Sequence, residues 1–290
     1  MNRCLIFLCA LLLSAVTIGS ACAAASSEWL RFTLRPDRGG SEIQATFSDE
    51  GQARGDSRWS AGFPPSELIG FDSAGFRAVG ARPLRFAVIR EAGRLDCRGT
   101  GGNALAQGYC GFTPNPGFMQ LLAGRGIGTP TREQAFGLMA LDVRRDLVDA
   151  VAAARYPAPS INDLMAMTAV GVSGHYIREL ARAGYRPRSI DSLVQFKALN
   201  ITPEFVGGFV RIGYAHMDPE DLVQLKALDI TPAWVAGFQR IGYGGLPVDT
   251  LVQFKALNIT PEFVQAVDRE PGPLPSASEL VERKVLGRRR

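Results

Sequence analysis

The chain has 290 residues, 46% of them hydrophobic and 21% charged, with a formal net charge of +4 at pH 7. That composition excludes a disordered or collagen-like chain and leaves ample material for a core. The cations Arg283, Lys284, Arg288, Arg289 and Arg290 crowd the end of the chain against Glu279 and Glu282, so the body before them is almost neutral. It lacks the clustered cations with interleaved aromatics that a nucleic-acid binder needs.

The first segment reads as a secretory signal peptide over residues 1–25. Arg3 precedes an apolar run, residues 5–18, and then the small residues Ala21-Cys22-Ala23-Ala24-Ala25, with cleavage expected after Ala23 or Ala25. Gly19 stands three residues before Cys22, where lipid attachment wants a bulky aliphatic side chain, which argues against lipid anchoring at Cys22. The apolar run also falls short of the roughly 20 residues of a membrane span, so no integral span is expected after cleavage. Cys4, Cys9 and Cys22 would leave with the signal; Cys97 and Cys110 remain, and a pair in an oxidising compartment predicts one disulfide. The expected location is periplasmic or secreted.

Residues 26–113 follow period two and predict a small antiparallel β domain. Leu30, Phe32 and Leu34 alternate with Trp29, Arg31 and Thr33, and Ile43, Ala45 and Phe47 alternate with Glu42, Gln44 and Thr46. Further strands are expected over 86–90, 94–98 and 108–112, with turns at 91–93 and at the glycine-rich 99–102. Parity places Cys97 with Leu95 and Cys110 with Phe112 on the apolar side. Between Ser57 and Gly80 one helical turn is predicted at 65–68, and the rest reads as loop. Gly99-Thr-Gly-Gly102 is followed by neither Gly-Lys-Ser nor Gly-Lys-Thr, so it does not read as a phosphate loop.

Residues 114–287 count in steps of 29. Ile-Thr-Pro stands at Ile201, Ile230 and Ile259, and Leu-Val-Gln-Phe/Leu-Lys-Ala-Leu begins at Leu193, Leu222 and Leu251. A fixed step of this size means one stacked supersecondary unit. Thr202, Thr231 and Thr260 supply N-caps and Pro203, Pro232 and Pro261 first helical positions, while Gly213-Tyr214 and Gly242-Tyr243 stop the second helix. The register reaches back through Tyr185 and Tyr156 to a half-repeat at Asn115, and forward to Leu280, where Arg283 replaces Phe254 as a terminal cap would require. The fold class is therefore α+β: a small antiparallel β domain, then an α-helical solenoid of two-helix repeats with half-repeats at both ends, and a basic tail over 288–290. The first helix, apolar almost all round, is expected to be the more deeply buried of each pair. The second keeps a wet side with Glu204, Gly207 and Arg211.

The chemistry-bearing residues are few. His175 and His216 lie outside any zinc-ligand spacing, so neither a metal nor a cofactor is expected, and nothing favours catalysis. Arg182, Arg211 and Arg240 recur at one register on the wet side of successive second helices and are candidates to bind the carboxylates of an extended partner. The competing reading is a solvated surface with local pairing, for which Glu204 is available. Lys197, Lys226 and Lys255 form a second row, whose apolar flanks suggest packed stems and snorkelling heads.

The repeated Leu-Val-Gln-Phe-Lys-Ala-Leu-Asn-Ile-Thr-Pro-Glu-Phe tract with its Gly-Tyr stops resembles the helical repeats appended, on the exported side, to some bacterial zinc metallopeptidases of the beta-lactamase antirepressor type. It is similar also to exported proteins that carry a β domain ahead of such repeats. The resemblance implies an envelope sensor or interaction module of a Gram-negative bacterium, and the leading expectation is a non-catalytic exported scaffold whose helical-repeat surface holds a protein or an anionic envelope polymer. The peptidase's zinc motif and membrane spans are missing, so no catalytic residue carries across. Two other readings stay open: an envelope enzyme or enzyme inhibitor with its site in the β domain or at its junction with the solenoid, and a carbohydrate-binding β domain displaying Trp29 and Trp59.

Overall fold

The computed structural model describes residues 29–49, 58–267 and 273–287. The segment 1–25, the tail 288–290 and the side chain of Trp29 lie outside this set.

Alternating apolar residues build one sheet from β1 (Trp29–Pro36), β2 (Ile43–Asp49), β3 (Arg58–Phe63), β4 (Arg82–Arg90), β5 (Gly93–Gly102) and β6 (Leu105–Pro114). The spatial order is β3-β2-β1-β6-β5-β4, with every neighbouring pair antiparallel. Phe32, Phe47, Phe63, Phe86, Leu95 and Phe112 share one face and are buried there. Cys97 and Cys110 are register partners on that face, with Cα atoms 4.0 Å and sulfurs 2.00 Å apart, so the expected disulfide forms as a cross-strand bridge.

Two expectations for this region need correction. The glycine-rich stretch 99–102 is not a turn but the end of β5; the chain reverses at Asn103 and Ala104, whose φ values are +55° and +57°. Glycine is needed at 99 because that strand lies against Gly108 so closely that a Cβ would come within 2.1 Å of the Gln107 carbonyl oxygen. The segment from Ser57 to Gly80 is not mostly loop. Besides the single helical turn at Pro65–Glu67, it holds β3, which turns Trp59, Ala61 and Phe63 inward, and a short helix α1 (Ser73–Arg77) capped by Asp72.

From Asn115 onward the described chain forms two interleaved series of helices. The first helices are α3 (Arg132–Ala140), α5 (Ile161–Ala169), α7 (Ile190–Ala198), α9 (Pro219–Ala227), α11 (Val248–Ala256) and α13 (Ala277–Gly287). The second helices are α2 (Pro116–Gly124), α4 (Arg145–Ala153), α6 (Gly174–Arg182), α8 (Pro203–Arg211), α10 (Pro232–Arg240) and α12 (Pro261–Val267). Starts within each series step by 29. First helices stack on first helices and second on second, giving a two-layer solenoid. Left-handed residues stop the first helices at Asp142, Gly171, Asn200, Asp229 and Asn258, again at the 29-residue step.

The burial order is the reverse of the one expected. In α7 only Leu193 and Phe196 are buried, and Leu199 just beyond is 42% exposed; in α8 Val206, Gly207, Gly208 and Phe209 are all buried. Close approach between second helices explains it. A Cβ at Gly207 would lie 3.2 Å from that of Ala183, so Gly207 belongs to the interface and not to the wet side. At the far end Arg283 is exposed and only Leu280 of α13 is buried, as a terminal cap requires.

The sheet and the solenoid share one core. Phe136 of α3 packs edge-on against Phe47, Trp59 and Phe112. Arg90 reaches the carbonyls ending α3, while the Glu91 carboxylate accepts from Arg145 N–H at the start of α4, at 2.6 Å. A cation at a helix C-terminus and an anion at an N-terminus both suit the helix dipole.

Candidate functional site

The second helices carry the residues that the sequence singles out. Thr202 and Thr231 accept hydrogen bonds from Phe205 and Trp234 N–H, and the prolines that follow fix the first turn. Fixed starts give fixed ends, so Arg182, Arg211 and Arg240 each close their helix at the same register and stand exposed.

Their surroundings differ. Arg182 pairs with Glu179 one turn back, and Glu179 lies 3.9 Å from Nδ1 of His175. On the same helix Arg178 pairs with Asp146 at 2.7 Å, so the outer side of α6 is locally compensated. In α8 and α10 the position of Glu179 is taken by Gly208 and Gly237. There the proline of the next second helix moves in: a Cβ at Gly208 would lie 2.6 Å from Pro232 Cγ, and one at Gly237 would lie 2.8 Å from Pro261 Cγ. With no side chain in the way, the guanidinium lies across bare backbone. Nη1 of Arg211 is 3.4 Å from a Cβ position at Gly207, and Nη2 of Arg240 is 3.9 Å from that at Gly237.

Between α10 and α12 this arrangement opens a cleft of ≈ 470 Å³ lined by Trp234, Gly237, Arg240, Pro261, Glu262 and Gln265. The Glu262 carboxyl is held below its ordinary range, first by its own backbone N–H, then by Thr260, with Arg240 adding a smaller Coulombic pull. Glu204 is lowered in the same way by its own backbone and by Thr202. Both carboxylates thus serve their own helix N-termini.

Two ladders accompany the arginines. Lys197, Lys226, Lys255 and Lys284 place their ammonium groups over the rings of Tyr176, Phe205, Trp234 and Phe263, at 4.8, 5.2, 5.7 and 4.1 Å from the centroids. The lysine heads therefore rest on aromatic faces; the constant spacing of 21 residues between cation and ring was the available signal. The Gly-Tyr stops form the second. Tyr156, Tyr185, Tyr214 and Tyr243 donate to the carbonyls of Pro187, Met217, Leu246 and Pro275, each in the loop one repeat further on, at 2.6 to 3.0 Å. Burial pushes the Tyr156 and Tyr185 phenols up to about 12.

Other candidates are placed plainly. Trp59 is not displayed for a ligand: it is half-buried beneath α3, where a Cβ at Gly137 would lie 2.7 Å from its ring. That corrects the expectation of a displayed aromatic there, because β3 turns Trp59 toward the solenoid. His175 and His216 are exposed. Among the described residues no three His, Cys, Asp or Glu side chains gather as a metal-ligand set, and no helix is long and apolar enough to cross a membrane. Comparison of the chain with protein-family models, with curated proteins and with solved structures finds no match.

Proposed function

We propose that this chain is a non-catalytic binding scaffold of the bacterial envelope, exported by residues 1–25, whose second-helix face holds an extended acidic partner, either a protein segment or an anionic polymer. The observation that carries this reading is the repeated groove in which Arg211 and Arg240 lie over side-chain-free backbone beside the next helix's proline. Such a groove offers a guanidinium fork that suits a carboxylate, with Glu262 beside Arg240 held first by its own helix N-terminus. Stacked helices lie about 8 to 10 Å apart, so successive forks meet successive groups of an extended ligand. Arg182 extends the row, with Glu179 as a local counter-ion that a partner's carboxylate would displace. The cross-strand disulfide agrees with an oxidising compartment.

The test is capture from a periplasmic extract by the immobilised protein, repeated with Arg182→Gln, Arg211→Gln and Arg240→Gln combined. The reading expects the captured partner to be lost from the triple variant, and wild-type capture to fall as salt rises. A folded triple variant that captures as well as wild type overturns it.

A further inference from the structure

The sheet's second face looks away from the solenoid and carries a charge pattern that the near-neutral body of the chain does not suggest. Arg31, Arg35, Arg58, Arg85, Arg94 and Arg98 all occupy its outward positions and are exposed. Among the described residues of this face the carboxylates are Asp96, which pairs with Arg94 at 2.7 Å, and Glu42, which lies over Gly62 at one end. Strand register then draws four of the arginines into a line. Arg58 faces Ser48, Ser48 faces Arg31, Arg31 faces Tyr109, Tyr109 faces Arg98, and Arg98 faces Arg85, a row that crosses all six strands. At a strand spacing of about 4.8 Å the row is roughly 24 Å long.

The centre of the row is shaped. Arg31 and Arg98 flank Tyr109 at one strand spacing on either side, and the Arg31 guanidinium lies 5.8 Å from the ring centroid. Arg31, Arg98, Thr100, Gln107 and Tyr109, with the backbone of Gly99 and Gly108, line an open cleft of ≈ 340 Å³. Arg85 and Arg98 stand directly opposite one another on β4 and β5, so two guanidinium groups meet at this end of the row.

We infer that this row binds a linear acidic polysaccharide, with uronate carboxylates on Arg31, Arg98 and Arg85 and a sugar ring against Tyr109. The guanidinium forks suit carboxylates. Tyr109, 42% exposed, offers a ring face between two cations, and Thr100 and Gln107 supply hydrogen bonds for sugar hydroxyls. Among the described residues, the exposed apolar side chains Ile89 and Leu105 of this face stand off the row. The inference concerns the sheet alone and does not depend on the solenoid reading.

The experiment titrates the purified, disulfide-bonded chain with polygalacturonate, with uncharged dextran, polyglutamate and phosphatidylglycerol vesicles as parallel arms. Polygalacturonate should bind, more weakly as salt rises, and dextran should not. Arg31→Gln with Arg98→Gln should weaken binding about tenfold or more, the loss expected when charge-assisted forks are removed. Tyr109→Ala should weaken it severalfold without a change of charge. Arg182→Gln, Arg211→Gln and Arg240→Gln should leave it unchanged, which separates this site from the solenoid groove. Arg85→Gln, at the edge of the sheet, provides a milder variant should the double one melt early. Absence of polygalacturonate binding, binding indifferent to the sheet variants, or preference for polyglutamate or vesicles each overturns the inference.

Discussion

Arg90, the last residue of β4, donates from Nη1 to the carbonyl oxygen of Ala140 at 2.7 Å, and the same nitrogen reaches Met139 at 3.1 Å. Its Nη2 pairs with Glu67 at 2.8 Å, and its guanidinium lies 4.7 Å over the Phe63 ring. One side chain thereby ties the sheet, the turn at Pro65–Glu67 and the end of α3, the first helix of the first complete repeat. Arg90→Met keeps the stem but leaves the Ala140 carbonyl and Glu67 without their donor, and should cost about 3 kcal/mol. Urea melts followed by near- and far-ultraviolet circular dichroism measure this. A loss under about 1 kcal/mol would mean that Phe136 and its aromatic neighbours hold the junction without the arginine.

Gly208 and Gly124 separate helix propensity from packing. Replacing glycine by alanine within a helix favours the folded chain by up to about 1 kcal/mol where there is room. At Gly124 nothing lies within 4 Å of the added Cβ, so Gly124→Ala should be neutral or stabilising. At Gly208 the added carbon meets the rigid Pro232 ring at 2.6 Å, so overpacking of about 1 to 3 kcal/mol should outweigh propensity. Thermal midpoints moving in opposite directions would establish the proline-on-glycine contact; a stabilised Gly208→Ala would show that the second helices can separate freely.

The tyrosine ladder predicts a pH dependence with a definite sign. Burial raises the Tyr156 and Tyr185 phenols from the ordinary 10 to about 12, so the folded chain holds these protons more tightly than the unfolded one. Their contribution is complete below pH 10 and is lost as pH climbs through about 12. Phenolate absorbance should show a late component in that window, reduced in Tyr156→Phe with Tyr185→Phe and kept in part because burial also raises the Tyr176 and Tyr214 phenols. Each substitution alone should cost about 1 kcal/mol near neutrality, since the carbonyl of Pro187 or Met217 loses its donor.

The disulfide closes a loop with a sequence separation of 13 between strands already paired. Reduction should lower stability by about 3 kcal/mol in the chain-entropy view. Guanidinium melts with and without reductant decide it. Equal midpoints would mean that the β5–β6 pairing persists in the unfolded state and that the bridge restricts nothing further.

The parts that were legible in the sequence are those that repeat or alternate. Thr202-Pro203 and Gly213-Tyr214 state where α8 begins and ends, and Cys97 and Cys110 share parity with Leu95 and Phe112, so period two puts on one face the pair that the cysteine count joins. Burial within each helix pair was not legible, because apolar residues lie almost all round α7 while helix contact depends on Gly207 and Gly208 lacking side chains. Glycine carries opposite meanings at 99 and 213, close strand approach in one case and a left-handed stop in the other, and only register tells them apart. The arginine line across the sheet was invisible for the same reason. Arg31, Arg85 and Arg98 are scattered in the chain and become neighbours only through strand order.

Lys226 tests whether the cation ladder contributes through charge or through its stem. Its ammonium lies 5.2 Å from the Phe205 centroid, and the same pairing recurs with Lys197, Lys255 and Lys284, so each repeat joins a first helix to the second helix before it. Lys226→Met keeps the length and apolar character of the stem while removing the charge, and should cost about 0.5 to 1 kcal/mol. Lys226→Arg keeps a cation over the ring and should stay near wild type. Added salt should narrow the gap only slightly, because the half-buried ring limits screening at contact distance. Urea midpoints of the two variants at low and high salt give the answer: if Met and Arg are equally stable, packing of the lysine stem alone joins these helices, and the ring–cation geometry follows from that packing.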